Sequence, residues 1–162
     1  MHLGTYLSLV ASSEQQLAAA LDQVAQYHTD EPEIYQLCPL LASWSRENLV
    51  ALRPFLARYS LPLFATAEQV PPALFAGPRP GSLGLLRDLH DLWLLASQVH
   101  LCWLLLSKGA QALHDSALAT TCLAGNLHTE RQRNWLLGRL KEEAPQTLAV
   151  AEERASWNSL VP

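Results

Sequence analysis

The chain has 162 residues, 49% of them hydrophobic and only 16% charged, with 15 acidic against 11 basic side chains and a formal charge of −4. That length suits one domain burying about two thirds of its unfolded surface. So apolar a chain offsets its ordering entropy, which excludes a disordered polymer. Mild acidity without a basic stripe argues against a nucleic-acid partner. Three cysteines with no CxxC pair point away from a disulfide framework or a structural zinc site and toward a reducing, cytoplasmic setting.

The start, Met1-His2-Leu3-Gly4-Thr5, lacks the basic region of a signal peptide. Asp88, His90, Asp91, Ser97, Gln98 and His100 break the most apolar stretch, so no membrane span is expected.

The first helical pattern covers about residues 3–27, with Leu3, Leu7, Val10, Leu17, Leu21 and Val24 at alternating three- and four-residue steps. After a short loop with Thr29 or Asp30 as N-cap, a second pattern covers 32–59 through Ile34, Leu37, Leu41, Trp44, Leu52, Phe55 and Leu56. Pro39 and Pro54 predict a kink near each, or a helix that starts only at Pro39.

Residues 60–81 form a connection rich in proline, long enough to cross a bundle from end to end. Phe64, Leu74 and Phe75 are its natural anchors.

The third pattern, 82–113, opens on Ser82 as a cap and carries Leu85, Leu89, Leu92, Ala96, Val99, Trp103 and Leu106 inward. Leu94, Leu101 and Leu105 fall on its outer side. The fourth, 115–143, starts at the N-cap Asp115, turns Leu123, Leu127, Leu137 and Leu140 inward, and stops before Pro145. A tail, 146–162, carries Trp157 and Leu160.

With no strand alternation, these four helices define an all-α, antiparallel four-helix bundle spanning residues 1–150. Two hairpins joined by one long crossover is a ferritin-like layout; plain up-down-up-down topology uses the same parts.

A polar layer interrupts the apolar stripes at mid-height. It comprises Glu14 on helix one, Glu47 and Asn48 on helix two, Ser97 and His100 on helix three, and Glu130 and Asn134 on helix four. Glu14 and Glu130 are expected to be buried with a shared partner, because a core does not leave two carboxylates unpaired. The bland reading pairs them with Arg46, Arg131 or His100; the sharp one makes Glu14, Glu47, Asn48, His100 and Glu130 metal-site candidates.

His90 and His100 stand ten residues apart on their helix, too far to ligate one ion. Cys38, Cys102 and Cys122 lie in apolar stretches and read as buried, inert thiols. Trp44, Trp93 and Trp103 are the residues that could line a small apolar pocket.

With its end, helix four reads His128-Thr129-Glu130-Arg131-Gln132-Arg133 and then Lys141-Glu142-Glu143-Ala144-Pro145-Gln146. These segments and the overall layout resemble small uncharacterised bacterial members of the ferritin-like superfamily. The resemblance implies a ferritin-like fold and, in di-iron members, a glutamate from each of two helices plus a Glu-x-x-His pair from each of the other two.

Here Glu14 matches a lone glutamate and Glu130 the first position of a pair. However, Arg133 and Val50 stand where histidine should follow Glu130 and Glu47, and helix three lacks a central carboxylate. The expectation is therefore a bundle with a degenerate metal site and no cofactor, a binding or accessory protein rather than an enzyme. Iron or manganese oxidase chemistry and apolar-ligand binding are the alternatives. The outward leucines of helix three predict a homodimer or another protein partner on that face.

Overall fold

The computed structural model describes residues 2–59 and 77–150. The helices are α1 (Leu3–Tyr27), α2 (Pro32–Tyr59), α3 (Gly81–Ala112) and α4 (Ser116–Pro145), and no strand occurs among the described residues. α4 does not end before Pro145 as expected. It runs through that residue into one π-helical turn, Gln146–Val150, which packs on α4 and α3. Phe64, Leu74, Phe75, Trp157 and Leu160, the expected anchors of the connection and the tail, lie outside the described residues.

The spacing of α1 does what it implies: Leu3, Leu7, Val10, Leu17, Leu21 and Val24 are all buried. α2 begins at Pro32 rather than Pro39 and continues through both internal prolines. Pro39 and Pro54 sit on the exposed side, where water can meet the carbonyls that their missing N–H groups leave free.

The start of α3 differs from the expected Ser82 cap: Pro80 occupies the N-cap position, and no side chain among the described residues caps the helix. Gly81 turns the chain with φ +77°, and a Cβ on Gly84 would stand 2.2 Å from the Arg79 carbonyl oxygen. The approach segment is therefore folded tightly onto the first turn of α3. From there Arg79 reaches Asp91 at 2.6 Å and Asp88 at 3.2 Å, and the buried Asp88 also meets His28 Nε2 at 2.8 Å. Asp115 is the N-cap of α4 as expected, accepting from the Leu118 amide at 3.0 Å. Its other oxygen accepts from Tyr59 at 2.6 Å, tying the end of α2 to the start of α4.

The four helices close a ring in which α1 packs on α2 and α3, and α4 packs on α3 and α2. The predicted inward set of α3 is buried throughout.

α4 is the correction. Leu123, Leu127 and Leu137 are exposed, and its buried face is Leu118, Cys122, Gly125, Thr129, Gln132 and Leu136. The cause is Trp103, fully buried on α3: a Cβ on Gly125 would come within 2.4 Å of its ring. α4 therefore turns small and polar residues, not leucines, toward the largest core side chain.

α3 is long and apolar enough to cross a membrane by length and composition alone, with mean hydropathy 1.3 in its best 18-residue window. The expected interruption of its apolar run is weak because the interrupting side chains are mainly uncharged. Of that window, 44% is buried within the fold.

Candidate functional site: the polar layer around Glu14

α1 carries Glu14 into the middle of its buried stripe, one turn from Val10 and Leu17, where it is fully inaccessible. Its Oε1 accepts from Asn48 Nδ2 at 2.7 Å and from the indole Nε1 of Trp103 at 2.6 Å, both buried contacts. Its Oε2 has no hydrogen-bond partner among the described residues. Burial raises the Glu14 carboxyl above the usual range, and hydrogen bonds from Trp103, Ser45 and Asn48 oppose that shift. The carboxyl is therefore held by neutral donors.

The layer continues through α2 and α4. Asn48 spends its amide N–H on Glu14, so its Oδ1 accepts, and His128 Nδ1 donates to it at 2.8 Å. The His128 ring stacks on Trp44, with centroids 5.7 Å apart and planes 16° from parallel. Gln132 Nε2 donates to the Leu41 carbonyl at 2.8 Å and to Ser45 Oγ at 3.0 Å. Side chains of all four helices thus meet in this layer: Glu14 from α1, Ser45 and Asn48 from α2, Trp103 from α3, and His128 and Gln132 from α4.

A separate pair lies between α3 and α4. The Thr129 hydroxyl donates to the Gly125 carbonyl at 3.0 Å, so it accepts from His100 Nδ1, also at 3.0 Å. That bond leaves the His100 Nε2 lone pair free in the neutral ring. Burial first, and the Arg133 charge second, hold the His100 imidazole below its usual value. Arg133 donates from Nε to Ser97 Oγ at 3.0 Å and lies 5.7 Å over the Trp93 ring.

Of the residues singled out by sequence, Glu14 and Asn48 are brought together. His100 is half-buried and bonded to Thr129, and it makes no hydrogen bond to Glu14. Glu47, Glu130 and Asn134 are exposed. The expected Glu14–Glu130 pairing fails because the phase of α4 puts Thr129 and Gln132 inward and carries Glu130 to the surface. Arg46 pairs with Asp22 at the surface rather than with either glutamate.

Ser45, His128 and Gln132 are the members that periodicity missed; Trp103 was placed on the inward stripe of α3, as found, but without its hydrogen bond to Glu14. For Gln132 the signal was a polar stripe on α4, Gly125-Thr129-Gln132, in step with Leu118, Cys122 and Leu136.

Among the described residues no three of His, Cys, Asp or Glu come together as a metal-binding group. Glu14 is the one carboxylate of the layer, its Oε1 accepts from an amide and an indole N–H, and Glu47 and Glu130 are exposed, so the anionic ligands that iron or manganese would need do not face one another. These residues do not fit a di-iron centre.

The thiols of Cys38, Cys102 and Cys122 are free and buried. Burial pushes Cys38 and Cys122 up to about 12.

Compared with protein-family models, curated proteins and solved structures, the chain finds no match.

Proposed function

We propose that this chain is a ferritin-like, antiparallel bundle that works as a binding or accessory protein, its ancestral metal layer replaced by a hydrogen-bonded one. The layout is supported by contacts that step in opposite directions along paired helices. Glu33–Arg139, Ser45–Gln132 and Asn48–His128 do so for α2 and α4. Ser97–Arg133 and His100–Thr129 do so for α3 and α4. α2 and α3 are joined by the long proline-rich connection a ferritin-like crossover requires.

The observation that carries the functional reading is Glu14, a fully buried carboxyl engaged by Asn48 and Trp103 instead of by other carboxylates. A metal layer needs anionic ligands facing one another, and Glu47 and Glu130 face solvent.

The test is metal analysis of protein purified without an affinity tag, followed by an iron-loading trial. The expected result is no stoichiometric iron or manganese before or after loading. Near-integer metal that disappears in Glu14→Gln would overturn the reading.

A further inference from the structure

The leucines that α4 keeps out of its core lie beside the outward leucines of α3. Among them Leu94, Leu101, Leu104 and Leu105 of α3 leave 43%, 54%, 42% and 50% of their surface exposed. Leu123 and Leu127 of α4 leave 61% and 46%. Ser97–Arg133, His100–Thr129 and the Trp103–Gly125 approach set the register between the helices. Continuing it puts Leu101 level with Leu127 and Leu105 level with Leu123, so exposed leucines stand at matching heights on two adjoining helices.

We infer that this α3–α4 face is the interface with a second copy of the same chain, related by a two-fold axis across the patch. Area supports it first. Six half-exposed leucines present on the order of 500 Å² per copy, so two faces meeting bury about 1,000 Å², the size at which a specific interface becomes plausible.

Charge supports it second, and singles out a copy of this chain. In the same register Glu130 stands level with residue 99 of α3, and Lys108 stands nine residues beyond that level, so the two lie on either side of Leu104. Glu130 is exposed and makes no ion pair among the described residues, its charge acting on the half-buried His100, and Lys108 makes one long bond, 3.5 Å, to Gln111. A two-fold axis at the height of Leu104 exchanges the two ends, bringing Lys108 of each copy to the height of Glu130 of the other. A lipid surface offers no such exchange and would have to desolvate Glu130 within the patch.

This inference does not depend on the absence of a metal, so mass and metal content test the two readings separately. Light scattering of the full chain at micromolar concentration should give twice 17.9 kDa.

Leu101→Glu with Leu105→Glu should raise the dissociation constant roughly a hundredfold, because it truncates the centre of the patch, while helicity is retained. Lys108→Glu and Glu130→Lys should each weaken association about three- to tenfold, and together should restore most of it. These two are surface changes that leave the core untouched, so they keep the test valid if the leucine variant fails to fold.

A monomeric wild type would overturn the inference. So would a dimer indifferent to all these changes, or a monomer that instead sediments with phosphatidylcholine vesicles.

Discussion

Replacing Glu14 separates the two things its carboxyl does: accepting hydrogen bonds and burying an acid. In Glu14→Ala the Trp103 indole N–H and the Asn48 amide N–H, 2.6 and 2.7 Å from Oε1, lose their acceptor inside a closed layer. Each stranded donor costs about 1–3 kcal/mol and the vacated volume adds to it, so the expected loss is about 3–5 kcal/mol. That is a large share of the roughly 5–15 kcal/mol a domain has.

Glu14→Gln keeps an acceptor oxygen and removes the ionisable group, so its expected effect is within about 1 kcal/mol near neutral pH. The pH dependence gives the second readout. Burial raises the folded-state Glu14 carboxyl above its unfolded value, so the folded state holds the proton more tightly. Its contribution to stability is full below the unfolded carboxyl range and is lost as pH rises through the raised folded value. Wild type should therefore lose stability relative to Glu14→Gln as pH rises above the ordinary carboxyl range. Urea unfolding followed by tryptophan fluorescence measures both effects. An alanine variant no less stable than the glutamine variant, or a glutamine variant with the wild-type pH slope, would refute the reasoning.

Gly125→Ala would place a Cβ 2.4 Å from the Trp103 ring, and overpacking of that kind should lower stability by about 1–3 kcal/mol, read as a depressed melting temperature; an unchanged Tm would show that α4 can give way. The three cysteines should resist iodoacetamide in the native protein at mildly alkaline pH and all react once it is unfolded, since all three are buried and their thiols are pushed up by burial. His100 should titrate below the ordinary imidazole range and show the Nδ1–H tautomer by nitrogen NMR, with that tautomer becoming mixed in Thr129→Val. Because its folded value is lowered, its contribution to stability is present above the unfolded imidazole range and is lost as pH falls from there through the lowered folded value, opposite in sense to Glu14.

Where one face of a helix was apolar and the other polar, the sequence was a sufficient guide. α1 is the clearest case, since Leu3 to Val24 form a single stripe with no competitor and every member is buried. The same reasoning located Glu14 and Asn48, because each interrupts a stripe whose phase was already determined by leucines on either side.

It failed on α4 for a reason that periodicity cannot supply. This helix has two stripes one step apart, one rich in leucine through Leu123, Leu127 and Leu137, the other running through Leu118, Cys122, Gly125, Thr129, Gln132 and Leu136. Choosing by hydrophobicity selects the first and brings Glu130 and Asn134 along with it. Choosing correctly requires knowing that Trp103 on another helix needs a glycine opposite, which is information about shape held some twenty residues away in the chain.

The competition between those stripes also explains why a buried carboxyl is tolerated at all. With α4 in the leucine-rich phase, Glu130 would enter the core beside Glu14, and two carboxylates without a metal or a base carry a desolvation penalty of several kcal/mol. Gln132 would leave the Leu41 carbonyl and Ser45, and His128 would leave Asn48 Oδ1, so the amide that steadies Glu14 would lose its own partner. In the observed phase those bonds are made, Trp103 is wholly enclosed, and its indole N–H is spent on Glu14. The polar layer thus acts as a register key: it gives up the burial of three leucines to hold α4 in one rotational setting. Two of the leucines it displaces, Leu123 and Leu127, are the side chains that α4 contributes to the outer apolar face. One choice, Gly125 opposite Trp103, therefore sets both the inside of the bundle and the surface it has left to offer.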